Sequence, residues 1–285
     1  MAQVSRMMRR ALLLSLPDST RRGLLERHPN LRRAAPPGLE LRYEKFLGEF
    51  VINVDTRFPV ERKMWSGDYD PGLQHLLREW IQPDSICCDV GANVGAITLA
   101  MAQSLKGGSG HVYAFEPAPP TFARLQANIA LNASVRRHIT AVNAGLADKP
   151  GVLHWNEEAD NPGNGGLLSR RGGGATGVAV QVTTLDAFGA EHALERLDVM
   201  KIDVESMEFD VFRGGEALLR RHRPKIFFET MARSKDLRGP DIFQKIEAWL
   251  RERGFELFRP DRHGHLTKTS ASRFGNNTVA LPRGG

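Results

Sequence analysis

The chain has 285 residues, 41% of them apolar, enough to bury the core of one large domain or of one domain with an appendage. Of its 39 basic and 33 acidic residues, eight arginines stand in the first 35 positions against Asp18 and Glu26; the net charge of +6 sits there, and the 31 residues of each sign that remain offer a nucleic acid no broad basic groove. No run of about 18 apolar residues crosses a membrane, and two adjacent cysteines without C-x-x-C or H-x-x-x-H partners form neither a disulfide framework nor a zinc site and suit a reducing cytoplasm.

Residues 1–37 form a basic leader, helical or flexible. Its apolar stretch, residues 7–16, reads as an amphipathic surface helix rather than a secretion signal, because the run is short, arginines follow closely and no A-x-A-like site precedes Arg21. Such a leader allows weak peripheral contact with an anionic membrane. After Pro36-Pro37-Gly38, residues 38–83 read as an extension: β-rich alternation over 41–64, as in Phe50-Val51-Ile52-Asn53-Val54, predicts a hairpin. Pro71, Leu73, Leu76, Leu77, Trp80 and Ile81 then predict a helix with proline in its first turn.

Over residues 84–285 strands and helices alternate, with strands expected at 86–90, 111–115, 139–143, 198–203, 225–229, 255–259 and 277–281 and helices at 94–105, 119–132, 208–221 and 240–253. This order predicts an α/β fold with a doubly wound, mostly parallel seven-stranded sheet, Rossmann-like in its winding. Cys87 and Cys88 then point to opposite faces of the first strand as small core residues. Between 152 and 183 the rhythm gives way to two β-like stretches around residues 161–177, of which seven of 17 are glycine; this segment reads as a connecting loop, with Arg170 and Arg171 as candidates for substrate contact. Asp148 reads as a turn residue before Pro150-Gly151, and His263-Gly264-His265 as a solvated hairpin turn.

The strand ending at Asp89 runs into Gly91, Ala92, Asn93, Val94 and Gly95 and then an apolar helix, which is the layout of a nucleotide-like cofactor site. Gly91 permits the sharp turn, and Gly95 lets the helix sit close to the strand. Asn93 stands where a dinucleotide fingerprint needs its second glycine to approach a pyrophosphate, so D-x-G-x-N-x-G favours S-adenosyl-L-methionine over NAD. The next strand ends in Phe115-Glu116-Pro117, placing an acid where it can accept bonds from both ribose hydroxyls. Asn143, ending the third strand, is expected near the adenine, and Tyr69 over the cofactor.

Transfer of a sulfonium methyl needs an aligned acceptor and, where the acceptor carries a proton, a group to take it. Period-two alternation turns Lys201, Asp203 and Glu205 to one face if the strand extends that far, which makes Asp203 and Glu205 candidate bases; Glu229, ending the following strand, is a third. The plain structural alternative is a local ion pair of Lys201 with Asp203 or Glu205. Carboxylates alone do not name a metal, and none is expected. Asp186 is expected to cap the helix that begins beside it.

Over roughly residues 65–283 the chain resembles the FkbM-type S-adenosylmethionine-dependent methyltransferases, through Gly67-Asp68-Tyr69-Asp70-Pro71, Asp89-Val90-Gly91-Ala92-Asn93-Val94-Gly95, Phe115-Glu116-Pro117, Asn128 with Leu131-Asn132, Thr184-Leu185-Asp186, Lys201-Ile202-Asp203-Val204-Glu205, and Pro224 with Phe228-Glu229. The resemblance implies a class I methyltransferase fold and O-methylation of a hydroxyl on a sugar, glycan or small natural product. The family usually follows K-I-D-V-E with Gly and a small residue, where this chain has Ser206-Met207 before Glu208. The competing readings are an RNA methyltransferase, a nicotinamide oxidoreductase, which Asn93 opposes, and a non-catalytic binding module of the same fold.

Overall fold

The structure is a computed structural model that describes residues 8–9, 11–13, 15–28, 31, 38–67, 69–156, 167–169, 177–230 and 241–284. Arg170 and Arg171 lie outside the described residues, as do Asp68 and most of the glycine-rich segment. Helix α1 (Asp18–Arg27) in the leader buries Leu25 in the same apolar cluster as Leu39 and Leu41 of the hairpin. The hairpin itself is β1 (Glu40–Phe46) and β2 (Phe50–Asp55), paired antiparallel with Leu41 opposite Val54.

The β reading of residues 41–64 holds only to Asp55. Pro59 takes the first turn of a helix, α2 (Pro59–Ser66), where its missing N–H costs nothing, and Gly67, at φ +73°, closes it by donating back to the Lys63 and Met64 carbonyls. Helix α3 (Pro71–Trp80) follows, with Asp70 accepting the Leu73 N–H at 3.2 Å and Leu73, Leu76, Leu77 and Trp80 buried along one face.

The main sheet is built from β3 (Ile86–Val90), β4 (His111–Phe115), β5 (Ile139–Val142), β10 (Val199–Ile202), β11 (Lys225–Glu229), β12 (Phe255–Pro260), β13 (Leu266–Lys268) and β14 (Asn277–Pro282), in the order β13-β12-β14-β11-β10-β3-β4-β5. The five strands from β11 to β5 are parallel, and β14 enters antiparallel between β11 and β12. The seven expected strands are present; β13 adds an eighth by hairpin pairing at the β12 edge. Helices α4 (Ala96–Ser104) and α5 (Pro119–Ala130) cover one face together with α3 and the hairpin. On the other face lie α6 (Leu185–Glu191), α7 (Glu208–Gly214), α8 (Glu216–His222) and α9 (Ile242–Glu252). Cys87 belongs to the first apolar cluster and Cys88 to the second, as strand alternation requires, and burial pushes both thiols up, Cys88 to about 12.

Two local expectations need correction. The single helix expected over 208–221 breaks at Gly215 because the backbone there is crowded: a Cβ on Gly214 would stand 2.0 Å from the Ala147 carbonyl oxygen, and one on Gly215 would stand 2.7 Å from Leu185. Asp186 does not cap its own helix, since Thr184 accepts the Ala187 N–H there; the Asp186 carboxylate instead receives the Ala217 and Leu218 N–H groups at the start of α8. A second, four-stranded sheet sits in the 145–183 segment, formed by β6 (Gly145–Leu146), β7 (Gly151–Asn156), β8 (Leu167–Ser169) and β9 (Val178–Thr183). Asp148 lies in the turn between β6 and β7 and pairs with Arg213 at 2.7 Å.

Candidate functional site

The carboxyl ends of β3, β4 and β10 meet at one edge of the sheet, where a doubly wound fold opens its ligand crevice. At the end of β3 the chain turns sharply, with Gly91 at φ +76°, and the Gly91 and Ala92 N–H groups both donate to the Phe115 carbonyl at 3.0 and 2.9 Å. A Cβ on Gly91 would lie 1.9 Å from the Asp203 carbonyl oxygen, so the turn is pressed against the end of β10 and only glycine fits. Asn93 adopts φ +50°, a region that asparagine tolerates better than most residues. Gly95, at φ +93°, opens α4, and Leu125 of α5 packs where its side chain would be.

Glu116 stands at the end of β4, 5% exposed. One carboxylate oxygen receives the Asn93 N–H at 3.0 Å and the other the Ala118 N–H at 3.0 Å, so the acid clamps the glycine turn to the start of α5 while each oxygen keeps a further lone pair. Burial pushes Glu116 up to about 7, against the two N–H bonds and the Lys201 charge, which act to lower it. Asn143 fixes the backbone at the same place, donating to the carbonyls of Glu116 at 2.9 Å and Pro117 at 3.2 Å.

On the opposite side of β3, Lys201 and Asp89 are direct neighbours across the parallel β10–β3 pairing, and both are buried. Lys201 Nζ donates to the Gly91 carbonyl at 2.6 Å and lies 3.4 Å from Asp89 Oδ1 and 3.8 Å from Asp203 Oδ2. Burial pulls the ammonium down, but the Asp89 and Asp203 carboxylates more than reverse that, leaving Lys201 above its ordinary range and charged. Asp89 Oδ2 accepts the Thr98 hydroxyl at 2.6 Å. Of the two partners the structural alternative allowed Lys201, Asp203 is the one within 4 Å, and Asp89 is a partner that sequence did not indicate.

Strand pairing of β10 ends at Ile202, so alternation does not carry Glu205 onto the Lys201 face. Asp203 donates its N–H to the Val90 carbonyl at 3.0 Å and leaves its side chain 40% exposed at the crevice. Glu205 and Ser206 then take φ +55° and +74°, two left-handed residues in succession. Glu208, buried at the start of α7, accepts the Val204 N–H at 3.2 Å and is pushed up to about 7 by burial. Glu229 ends β11 one register step beyond the Ile202–Phe228 pair, level with Asp203, and faces Asn277 of β14. Burial pushes the Tyr69 phenol up, with Lys201 opposing and Asp203 reinforcing the shift. Asp70, at φ +39°, lies in the same field and also receives the Asn277 amide at 3.4 Å.

The hairpin supports the turn from behind. Asn128 of α5 donates to the Val94 carbonyl at 2.8 Å, inside the glycine turn, and accepts the Asn53 N–H of β2 at 2.9 Å. Arg124, one turn earlier on α5, makes two bonds of 2.7 and 2.6 Å to buried Glu61 of α2, which also accepts the Asp55 N–H at 2.6 Å. The sequence readings missed Asp70, Glu208 and the Asn128 bridge as parts of this site; the motif that pairs Asn128 with Asn132 is the signal that marks the last.

A family model described as the methyltransferase FkbM domain matches residues 89–257. The methyltransferase sdnD of Sordaria araneosa is 29% identical over 213 residues, 63% of this chain and 79% of that protein. The hexuronic acid methyltransferase AglP of Haloferax volcanii is 30% identical over 139 residues, 49% of this chain and 53% of that protein. The solved structure of methyltransferase FkbM from Methylobacillus flagellatus aligns with 78% of this chain and 52% of its own, at 15% identity and a TM-score of 0.47. The family model spans more than half of the chain and includes the glycine turn, Glu116 and the Lys201–Glu208 segment, and the chain belongs to the FkbM methyltransferase family.

Proposed function

We propose that this protein is an S-adenosyl-L-methionine-dependent O-methyltransferase acting on a hydroxyl of a sugar, glycan or small natural product. The observation that carries the reading is Glu116, a buried carboxylate at the end of β4 that fixes the glycine turn and keeps lone pairs for a ribose diol. The donor chemistry of the crevice fits the cofactor: the Asp89 and Asp203 carboxylates flank the Lys201 ammonium and Glu116 stands across β3 from it, a set of acids that suits a cation-bearing nucleoside better than a pyrophosphate. When bound, S-adenosylmethionine supplies an electrophilic methyl group on a sulfonium.

Asn93 and Glu116 hold the ribose, Asn143 borders the adenine, and Tyr69 closes the side toward β10. Asp203, half-exposed beside Lys201, receives the acceptor hydroxyl proton on its carboxylate, with Glu205 and Glu229 as the alternatives at the same edge. Positioning supplies about 7–11 kcal/mol in such reactions, whereas a general base adds roughly 10² to 10⁴ in rate, so loss of alignment costs more than loss of the base. The name of the Haloferax volcanii relative supports a sugar acceptor.

Calorimetric titration with S-adenosylmethionine, S-adenosylhomocysteine and NADH tests this reading. Micromolar binding of the first two, weakened in Glu116→Ala, is expected. Binding of NADH instead, or of none, overturns it.

A further inference from the structure

Beyond the cofactor crevice, at the same carboxyl edge of the sheet, a cavity of about 280 Å³ lies between the start of α3, the turn joining β12 to β13, and the entry to β14. Its lining includes Asp70, Arg259, Asp261, Arg262, Asn276 and Asn277. The walls are fixed by direct backbone packing: a Cβ on Gly72, in the first turn of α3, would stand 2.3 Å from the Asp261 carbonyl oxygen. Thr230 pins the β14 side, its N–H bonding the Asn276 carbonyl at 2.8 Å and its hydroxyl the Gly275 carbonyl at 2.9 Å.

The two acids in the lining are already engaged. Asp261 receives the N–H groups of His263 and His265 at 2.7 and 3.0 Å and pairs with the His265 ring at 3.0 Å, and these bonds outweigh its desolvation and hold it well below the usual carboxylate range. Asp70 is taken by Leu73 N–H and the Asn277 amide. Arg259 and Arg262 make no ion pair among the described residues, so the lining holds two guanidinium groups that directly pair with neither of its carboxylates, which take neutral donors and the His265 ring instead. The cavity also adjoins the candidate site, because Asn277 in its wall reaches Asp70 at 3.4 Å and pairs across the sheet with Glu229, level with Asp203.

We propose that this cavity holds an acidic group of the methyl acceptor, a carboxylate or a phosphate on a hydroxylated molecule of monosaccharide size, with Arg259 and Arg262 as its ligands. The proposal deepens the methyltransferase reading and rests on it for the word acceptor. Its volume is just below the roughly 300–1,000 Å³ of sites for drug-sized ligands, as a single sugar unit requires. Paired guanidinium groups bind such anions with directed hydrogen bonds that a neutral sugar cannot match.

The test is ligand-observed NMR titration of the full chain with glucuronate, glucose 6-phosphate and glucose, each with and without S-adenosylhomocysteine, in the wild type and in the Arg259→Gln/Arg262→Gln double variant. Both arginines are exposed, so the variant is expected to retain its melting temperature and its S-adenosylhomocysteine affinity. At least one anionic probe should bind tenfold or more tightly than glucose and lose that margin in the variant; which one binds separates carboxylate from phosphate. Equal binding of glucose and both anions, no binding of any probe, or no change in the variant overturns the proposal. If S-adenosylhomocysteine fails to bind while the anion still depends on the arginines, the methyltransferase reading falls and the anion site stands.

Discussion

Two turns lie against each other at the carboxyl ends of the neighbouring strands β3 and β10 and solve the same geometric problem with different residues. The turn after β3 reverses through left-handed backbone at Gly91, Asn93 and Gly95, all suited to that region, and is held by Phe115, Glu116 and Lys201. The turn after β10 passes through left-handed backbone at Glu205 and Ser206, residues that pay for it with strain on the order of 1 kcal/mol each. The first turn is the one proposed to hold the cofactor, and its left-handed residues are those the backbone tolerates best. The second carries the carboxylates proposed to serve the acceptor, and its left-handed positions are held by two residues with side chains. The glycine common in the family after K-I-D-V-E falls at Ser206, where φ is +74°.

The largest expected effect comes from breaking the first turn. Gly91→Ala forces a methyl group against the Asp203 carbonyl oxygen, and overpacking together with left-handed strain should cost roughly 2–4 kcal/mol, read as a fall in the urea midpoint. An unchanged midpoint would mean that the two turns are not in contact. Glu116→Ala should weaken S-adenosylmethionine on the order of ten- to a hundredfold, since a bond to a charged group contributes about 1.5–3 kcal/mol; calorimetry decides. Asn128→Ala strands the Asn53 N–H and the Val94 carbonyl and should cost about 1–3 kcal/mol, with cofactor affinity falling alongside stability if the bridge positions the loop.

A subtler difference lies in pH. Glu116 holds its proton up to about 7 in the folded protein against an ordinary 4.5, so the folded state binds more protons between those values. Stability of the cofactor-free protein should therefore be highest below 4.5 as far as this group is concerned and decline as pH rises toward 7, with a slope of at most about 1.4 kcal/mol per pH unit. Glu116→Gln should remove that part of the slope and leave the part due to Glu208. At the second turn, Ser206→Gly should raise stability by about 1 kcal/mol in chemical denaturation, provided the family's glycine answers a backbone need; a loss would show that the serine side chain holds the turn.

The contrast also marks what could be read from sequence. Gly91, Gly95 and Glu116 announce themselves because a local turn and a strand end fix their roles through spacing alone. The alternation of strands and helices is legible for the same reason, being a matter of neighbours in the chain. The Lys201–Asp89 contact joins residues 112 apart by strand pairing, and only the register of β10 on β3 reveals it. Asp70 and Glu208 look like ordinary helix-start acids, and burial next to other charges is what distinguishes them. The helix over residues 59–66 was obscured by Val60, whose β preference yielded to Pro59 and Gly67 at the two ends. The break at Gly215 reflects contacts with Ala147 and Leu185, remote in sequence.

The paired asparagines of α5 have one more consequence. Asn128 reaches the N–H and C=O of Asn53, and Asn132 reaches those of Val51, at 2.7–3.4 Å. Four helical residues rise about 6 Å and two strand residues about 6.6 Å, so two amides one helical turn apart match alternate residues of β2. A helix thereby imitates a third strand. The outer edge of β2, an open template for pairing with another chain, is closed by side chains, which fix its register against α5.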